Sequence, residues 1–338
     1  DYVIPHRIYD GYGINKRIVG EAKKDGIHVI ITCDNGISAF QPMELARELG
    51  LKTIITDHHD IPCIEDENGK KSYNLPEADA IINPKRLDCK YPFKELCGAG
   101  VAFKFIQALY SEMDIDIEES YEFLEFVAMG TVCDVVNLID ENRIIVKEGL
   151  KRINNTSNLG LKALIKATGL EDKTIDTYFL GFILGPCINA SGRLESADIA
   201  VELFLTDDFE KAQDYAHRLH RLNEERKVMT EKGLNEAVKV IESKGLIDEK
   251  IIVVYEPSIH ESVAGIIAGR IKDRYYRPTI ILTKSETQNM AKGSGRSIDE
   301  YNMFEEISKS KDLLDGFGGH SMAIGLSLDI SNIEDFSY

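Results

Sequence analysis

The sequence predicts an α/β protein in which a parallel-sheet domain is joined by a long helix to a smaller α/β domain. Helix-like and strand-like segments alternate through the first ninety residues, a long stretch of helical periodicity comes later, and strand-like segments return after it. At 338 residues the chain also exceeds the roughly 250 to 300 residues at which a single hydrophobic core usually stops growing. Two domains are therefore expected.

The first domain is predicted from short β-branched segments separated by helices. Residues 28–33 form a nearly continuous apolar run, which is typical of a strand buried on both faces. A helix is expected over about residues 38–49, closed by Gly50, and further strands over residues 52–56 and 80–83. Short connections of this kind join parallel strands through right-handed crossovers.

Residues 98–170 are expected to be mostly helical, and a longer helical stretch is predicted further along the chain. Apolar residues recur every three or four positions from Phe209 to Ile241 without a proline, which is typical of one or two long helices that connect domains. Strand-like sequence resumes at Lys250. We therefore predict a first domain, a connecting helix and a second domain over residues 1–205, 206–246 and 247–338.

The composition limits the classes of function. The chain is 43% apolar and 29% charged, as in soluble globular proteins, and no apolar run approaches the roughly 18 to 20 residues of a membrane span. Its six cysteines are scattered without a C-x-x-C pair, which favours a reduced, cytoplasmic protein and indicates neither a zinc knuckle nor a redox motif. The net charge of −17 argues against non-specific binding of polyanions, so a nucleic-acid function requires a local basic site.

Two of the predicted strands end on potential metal ligands. Asp34 follows the first strand, and the segment Asp57-His58-His59-Asp60 follows the second. Because open parallel sheets bind ligands beyond the carboxyl ends of their strands, these side chains can converge there. Carboxylate and imidazole together suit Mn²⁺ or a similar divalent ion, whereas an all-oxygen site would favour Mg²⁺ or Ca²⁺.

Each of these residues also has an ordinary structural interpretation. The Asp34-Asn35-Gly36 sequence after a strand is a common turn. Asp134 ends an apolar, helix-like stretch, a position that also suits a helix cap or a surface charge. Adjacent histidines flanked by aspartates are less common. The shared location of these groups favours the metal site over three separate structural roles.

Three further segments contain residues suited to substrate binding. Arg193 follows a Ser-Gly pair in a loop-like segment, and Ser294 and Arg296 lie within residues 292–297, where small residues would expose backbone N–H groups to a phosphate. Residues 316–320 are too rich in glycine for a strand interior and are predicted to form a tight turn. Taken alone, each segment is also explained by an incidental surface arginine or a structural turn.

The Asp57-His58-His59 triplet, about two dozen residues after a strand-terminal aspartate, resembles the DHH phosphoesterase superfamily. The similarity to its RecJ branch extends over nearly the whole chain, and the last two matching segments resemble the accompanying DHHA1 domain. The matching segments are Ile4-Pro5-His6-Arg7, Gly11-Tyr12-Gly13, Cys33-Asp34-Asn35-Gly36, the triplet itself, Gly130-Thr131-Val132-Cys133-Asp134, residues 185–194, Gly293-Ser294-Gly295-Arg296-Ser297 and Gly318-Gly319-His320.

The resemblance implies a centre of two divalent ions, Mn²⁺ or Mg²⁺. In this pattern Asp34 bridges the ions, His58 and Asp134 complete one coordination shell, and His59 lies beside the scissile phosphate. Two such cations activate water and stabilise the phosphoryl and leaving oxygens, so no serine or cysteine nucleophile is expected. The family's first motif, an Asp-x-Asp pair on an opening strand, does not occur at the start of this sequence and is expected just upstream of Asp1.

The resemblance also implies a 5′→3′ exonuclease that hydrolyses single-stranded DNA to 5′ mononucleotides during recombination and repair. A narrow cleft would admit one strand and exclude a duplex. Residues implied to hold the 5′-terminal phosphate or the adjacent backbone are Arg7, Arg193, Ser294 and Arg296, and residues implied to line the DNA path are Gly319 and His320.

Two other functions fit parts of the pattern. A phosphodiesterase of short oligonucleotides or cyclic dinucleotides shares the DHH and DHHA1 domains, although smaller relatives usually lack the long helix and the Asn189-Ala190-Ser191-Gly192-Arg193 segment. A non-catalytic DNA-binding scaffold would be consistent with the missing first motif, but it would not need Asp34, His58, His59 and Asp134 together. Family II inorganic pyrophosphatases share the metal motif, but the glycine-rich segments of the second domain fit them poorly.

Overall fold

The computed structural model describes residues 1–5, 10, 13–65, 71–285 and 289–337. The chain divides into two compact units, Asp1–His220 and Arg221–Tyr338. The boundary between the units falls within α10, a 36-residue helix at Phe209–Lys244, so the predicted long helix is confirmed. The division into domains at residues 205 and 246 stays a prediction.

The first unit begins with alternating helices and strands, as predicted. In chain order these are α1 (Lys16–Lys24), β1 (Val29–Cys33), α2 (Phe40–Glu48), β2 (Lys52–Thr56), β3 (Cys63–Glu65), β4 (Lys71–Tyr73) and β5 (Ala80–Ile82). β1 pairs in parallel with β2 and β2 pairs in parallel with β5, whereas β3 and β4 form a separate antiparallel pair. The carboxyl ends of the three parallel strands therefore lie at one edge of the sheet.

β1 lies at one side of this three-stranded sheet, whose order is β1, β2, β5. Val29 is 48% exposed and Ile31 is 54% exposed, so the prediction that this strand is buried on both faces is wrong. Both side chains border a groove of about 1750 Å³ that is also lined by residues 1–5 and by residues of α1. The apolar run predicted the strand correctly, but it could not predict that β1 has a single neighbour within the described part of the sheet.

The remainder of the first unit is helical, as predicted for residues 98–170. Its helices are α3 (Gly98–Glu112), α4 (Leu124–Cys133), α5 (Asp140–Ile153), α6 (Leu159–Ala167), α7 (Thr177–Phe179), α8 (Gly185–Leu194) and α9 (Asp198–Leu205). Fully buried side chains in this part include Leu161, Leu164, Leu180, Leu184 and Leu203. A π turn over Leu180–Leu184 connects α7 to α8. α4 ends at Cys133, which makes Asp134 its C-cap residue.

The second unit contains most of α10 and a mixed five-stranded sheet. The elements after α10 are β6 (Ile252–Tyr255), α11 (Glu261–Tyr275), β7 (Thr279–Lys284), β8 (Met290–Arg296), α12 (Met303–Ser308), β9 (Gly316–His320), β10 (Ala323–Asp329) and α13 (Ile333–Ser337). The strand order is β6, β7, β8, β10, β9, and the β6–β7 pair is the parallel one. Ala237 and Ile241 of α10 pack with Val263 and Ile267 of α11 in one hydrophobic core of this unit. Among the described residues, no helix has the length and apolar character that a membrane span requires.

Candidate metal centre

The turn after β1 positions the first candidate ligand. Asp34 has a φ of +63°, a left-handed conformation that aspartate tolerates better than most residues, and its N–H donates to the carbonyl oxygen of Thr56 at 3.0 Å. Gly36 has a φ of +114°, and a Cβ atom at this position would lie 2.9 Å from the Thr32 hydroxyl oxygen. The Asp-Asn-Gly sequence is therefore both a turn and the support of a candidate ligand.

Four of the predicted site residues converge at the carboxyl ends of β1 and β2. His58 Nε2 lies 3.0 Å from Asp34 Oδ1 and 3.5 Å from Asp134 Oδ2. Asp34, His58 and His59 each offer one potential ligand atom, and these three atoms lie within 4.8 Å of one another. The predicted convergence of Asp34, His58, His59 and Asp134 is present in the structure.

The nitrogen at the centre of this group has no hydrogen-bond partner among the described residues. His58 Nε2 is buried, and although its distances to Asp34 and Asp134 are short, neither contact has the alignment of a hydrogen bond. Buried polar atoms are normally hydrogen-bonded, so an unpaired ring nitrogen that faces two carboxylates needs an explanation. An imidazole nitrogen and carboxylate oxygens are the donor set of a Mn²⁺-type ion, so the residues present fit such an ion.

The charge distribution also fits a divalent cation. Burial raises the pKa of Asp134, and the nearby Asp34 carboxylate raises it further, while His58 and His59 act in the opposite direction. Two carboxylates held this close repel each other, and a cation between them relieves that repulsion. The negative charge of the two carboxylates therefore favours the binding of a positive ion.

Asp57 has a supporting position that the sequence did not reveal. It is 1% exposed, and its Oδ1 accepts the backbone N–H groups of His58 at 2.8 Å and His59 at 3.2 Å. The same oxygen lies 2.7 Å from His59 Nδ1, and Oδ2 accepts the N–H of Ile37 at 2.9 Å. Asp57 thus ties the turn after β2 to the turn after β1 and orients the His59 ring.

These hydrogen bonds determine the ionisation of the pair. Burial raises the pKa of Asp57, but hydrogen bonds from the His59 side chain and from backbone N–H groups outweigh it and hold the pKa below its ordinary value. The hydrogen bond to Asp57 in turn raises the pKa of His59, against the opposing effect of burial. The only signal for this role in the sequence was the position of Asp57 directly after a buried strand.

Gly98 is a second supporting residue that the sequence did not reveal. It is the first residue of α3, and a Cβ atom at this position would overlap the Asp34 carboxylate. The amino end of α3 therefore approaches Asp34 because residue 98 has no side chain. The amino end of a helix also stabilises a nearby negative charge.

Arg193 lies in a helix, so its predicted loop is wrong. The residue occupies the last turn of α8, where Ala190 and Ser191 are buried and the Ser191 hydroxyl donates to the Ile188 carbonyl oxygen at 2.8 Å. Burial of this face keeps the Ser-Gly-Arg sequence helical although its composition favours a loop. The other predicted phosphate ligand of the first unit, Arg7, lies outside the described residues.

Ser294 and Arg296 lie in β8, so the prediction that small residues expose backbone N–H groups over residues 292–297 is wrong. β8 is hydrogen-bonded to β7 on one side and β10 on the other, which uses the backbone N–H groups expected to face a phosphate. Gly293 is needed here for packing, because a Cβ atom would lie 2.6 Å from Leu282 Cδ2. The Arg296 side chain bends back, and its Nη1 donates to the Gly295 carbonyl oxygen at 2.7 Å.

The glycine-dense segment Gly316–His320 is the edge strand β9 and not a tight turn. It pairs with β10, and Gly319 lies opposite Ile324. An edge strand pairs with its neighbour through backbone hydrogen bonds alone, so several glycines are tolerated there. His320 ends the strand, and its Nδ1 accepts the Met322 N–H at 3.3 Å.

The chain matches two known domain families and several curated proteins. Residues 1–131 match the model of the DHH family N-terminal domain, and residues 248–337 match the DHHA1 domain. The single-stranded-DNA-specific exonuclease RecJ of Bacillus subtilis strain 168 is 43% identical over 335 residues, 99% of this chain and 40% of the relative. RecJ of Escherichia coli K12 is 38% identical over 97% of this chain and 58% of the relative. The chain thus spans about half the length of these curated relatives.

Two solved structures extend the comparison to three dimensions. A crystal structure of exonuclease RecJ bound to manganese has a TM-score of 0.83 and 32% identity, covering 99% of this chain and 80% of that one. RecJ from Thermus thermophilus in complex with Mn²⁺ has a TM-score of 0.79 and 31% identity, covering 96% of this chain and 46% of that one.

Replacing Gly98 by alanine is expected to weaken Mn²⁺ binding at least tenfold, because the added methyl group displaces the Asp34 carboxylate and outer supports of metal sites typically contribute about 10- to 100-fold in affinity. Gly20→Ala is the matched control, since nothing lies within 4 Å of a Cβ atom there and both residues are helical. Isothermal titration with Mn²⁺ measures both variants. Equal affinities in Gly98→Ala and Gly20→Ala would exclude Gly98 as a support of the site.

Replacing Asp57 by asparagine is expected to lower the free energy of unfolding by about 2 to 4 kcal/mol, because a buried ionised acceptor of several N–H groups is lost and the new amide N–H₂ has no acceptor opposite it. Urea unfolding measures the change. Asp79, which forms an exposed ion pair with Lys52, is the control. Asp79→Asn is expected to lower the free energy of unfolding by clearly less. A loss in Asp57→Asn no greater than that of Asp79→Asn would contradict the supporting role.

Proposed function

The chain belongs to the RecJ family, with a DHH domain followed by a DHHA1 domain, and we propose that it is a metal-dependent exonuclease that hydrolyses single-stranded DNA from the 5′ end to 5′ mononucleotides. The observation that supports this most directly is the convergence of Asp34, His58, His59 and Asp134 around an unpaired His58 nitrogen. We further propose that it acts in the cytoplasm on DNA undergoing recombination or repair; its relatives are named as single-stranded-DNA-specific exonucleases.

Three residues are proposed as ligands of the divalent ions. Asp34, His58 and Asp134 would hold the ions, with Asp34 proposed as the ligand that they share. The His58 ring nitrogen, which faces both carboxylates, supports this set. When bound, Mn²⁺ or Mg²⁺ activates the attacking water and stabilises the negative charge that develops on the phosphoryl and leaving oxygens. The mixed oxygen and nitrogen donors favour Mn²⁺ over Mg²⁺.

His59 is proposed to contact the scissile phosphate. Its Nδ1 is held by Asp57 Oδ1, and its backbone carbonyl oxygen accepts from the buried amide of Asn83 at 2.9 Å. The first contact orients the ring and the second holds the His59 backbone, which leaves Nε2 as the nitrogen that can donate to a phosphoryl oxygen. A fixed donor of this kind stabilises developing charge without reorganisation during the reaction.

Residues of both units are proposed to bind the DNA backbone. Arg296 and Ser294 are adjacent on β8, with Arg296 Nη1 and Ser294 Oγ 3.3 Å apart, and both can donate to one phosphate. Gly265 of α11 leaves space for this pair, because a Cβ atom there would lie 2.7 Å from Ser294 Oγ. The further members of the proposed set are Arg7, Arg193, Gly319 and His320.

Full-length protein in Mn²⁺ is expected to release 5′ mononucleotides from a 5′-phosphorylated single strand. Asp34→Ala is expected to reduce kcat by more than the roughly 10- to 100-fold typical of an outer-shell partner, because it removes the proposed bridging ligand. Chromatography of the products with time measures both. Undiminished cleavage in Asp34→Ala would exclude the proposed centre. Cleavage restricted to dinucleotides would favour an oligonucleotide phosphodiesterase, and binding of DNA without cleavage in the parent protein would favour a scaffold.

Arg296→Ala is expected to raise KM for a 5′-phosphorylated strand about tenfold or more, since a hydrogen bond between charged groups contributes about 1.5 to 3 kcal/mol. If Arg296 binds the terminal phosphate, the increase in KM should be smaller for a DNA strand with a 5′-hydroxyl group. Arg270→Ala is the control, because Arg270 is an exposed arginine of the same unit that pairs with Glu231. Equal increases in KM for the two strands would place Arg296 on the internal backbone and not on the 5′ end.

A further inference from the structure

We propose that Lys85 forms a phosphate-binding site beside the metal centre and that it binds a backbone phosphate of the DNA strand. This inference rests on the proposed function, because it assigns a contact to the same substrate. Its evidence is separate from that for the metal ligands and comes from the end of β5, the third parallel strand.

The backbone of Lys85 is fixed relative to the histidines by one buried amide. Asn83 follows β5 and is 2% exposed. Its Nδ2 donates to the His59 carbonyl oxygen at 2.9 Å, and its Oδ1 accepts the Lys85 N–H at 2.8 Å. The strands are also joined directly, since the Asp57 N–H donates to the Ile82 carbonyl oxygen at 3.0 Å. Lys85 is therefore held next to the Asp57-His58-His59-Asp60 segment.

The side chain of Lys85 lies at the surface of the same site. Its Nζ is 2.8 Å from Asp60 Oδ1, and the two side chains are 35% and 91% exposed. The ammonium group therefore contacts the residue that directly follows the His58-His59 pair in the sequence.

The ion pair with Asp60 does not prevent Lys85 from binding a substrate. Exposed ion pairs contribute little to stability, and a lysine ammonium has three donors on a flexible stem. It can therefore keep one donor on Asp60 and direct another at a phosphate oxygen, or exchange the carboxylate for the phosphate. Its neighbour Arg86 is held differently, since it pairs with Asp88 at 2.6 Å and donates to the Ile81 carbonyl oxygen.

The negative charge of the protein favours a fixed cation where the DNA strand would contact it. The chain has a net charge of −17, and Asp34, Asp57 and Asp134 are gathered at the centre itself. A polyanionic strand that approaches this surface is repelled unless fixed positive charge lies at the point of contact. Lys85 supplies that charge at the carboxyl end of β5. This end lies beside the carboxyl end of β2, where the proposed metal centre is.

The test is the salt dependence of binding to a fluorescently labelled, 5′-phosphorylated oligodeoxythymidylate, measured by anisotropy in EDTA so that no hydrolysis occurs. Loss of one phosphate contact on a single strand reduces the slope of log K against log salt by about 0.7. We expect this reduction in Lys85→Gln, a parental slope in Lys85→Arg, and tighter binding in Asp60→Asn because the competing carboxylate is removed.

The Lys52–Asp79 pair provides a matched control. It is also an exposed lysine and aspartate pair, with Nζ 2.7 Å from Oδ1, but it lies at the opposite end of β2. Lys52→Gln should leave the slope unchanged. An unchanged slope in Lys85→Gln, or an equal reduction in Lys52→Gln, would overturn the proposal.

Turnover in Mn²⁺ separates this inference from the proposed function. Lys85→Gln is expected to raise KM at least threefold while kcat stays within twofold of the parent. A fall in kcat at constant KM would mean that Lys85 acts on the metal centre, which contradicts the proposal. If the parent protein binds the strand with a Lys85-dependent slope but does not cleave it, the proposed exonuclease activity fails while the phosphate site stands.

Discussion

The geometry of the metal centre depends on the buried carboxylate of Asp57. This one group accepts N–H groups from the turn after β1, through Ile37, and from the turn after β2, through His58 and His59. Parallel strands bring the two turns to the same edge of the sheet, but pairing alone does not fix the side chains beyond the last residues. A buried ionised acceptor fixes these side chains, because any N–H group that it left unpaired would lower the free energy of unfolding. Asp57 is thus a structural residue directly before two histidines, one proposed as a metal ligand and the other as a phosphate contact.

The same arrangement explains why the centre favours a cation over a hydrogen-bonded network. Both carboxylate oxygens of Asp57 accept hydrogen bonds from backbone N–H groups or from the His59 ring. They are therefore not available to pair with the Nε2 atom of His58. Asp34 and Asp134 face that nitrogen from two different elements, a strand end and a helix C-cap. Neither carboxylate makes an aligned hydrogen bond to it. Folding therefore brings together potential ligands that do not satisfy one another, and a divalent ion with several coordination positions would satisfy all of them.

Much of this arrangement could be predicted from the sequence because it depends on strand direction. Short apolar runs separated by a helix predict parallel strands, and the residues that follow such strands meet at one edge, which brought Asp34 and His58 together. The C-cap position of Asp134 also followed from the end of an apolar helical stretch. The role of Asp57 did not follow, because nothing in the triplet distinguishes a carboxylate that faces a metal from one that faces backbone N–H groups. Burial decides between them, and burial depends on neighbours distant in the sequence.

Glycine is the residue for which the sequence was least informative. A glycine-rich segment suits a loop that presents N–H groups to a phosphate, but it equally suits a strand whose neighbours leave no space for Cβ atoms, as Gly293 in β8 shows. The two structures place different demands on the backbone. A phosphate-binding loop needs free N–H groups, whereas a strand donates its N–H groups to the neighbouring strands. The phosphate recognition proposed for the second unit therefore depends on the side chains of Ser294 and Arg296, for which Gly265 leaves space on the facing helix. The missing side chain of Gly265 thus acts indirectly, by making room for the two groups that are proposed to bind phosphate.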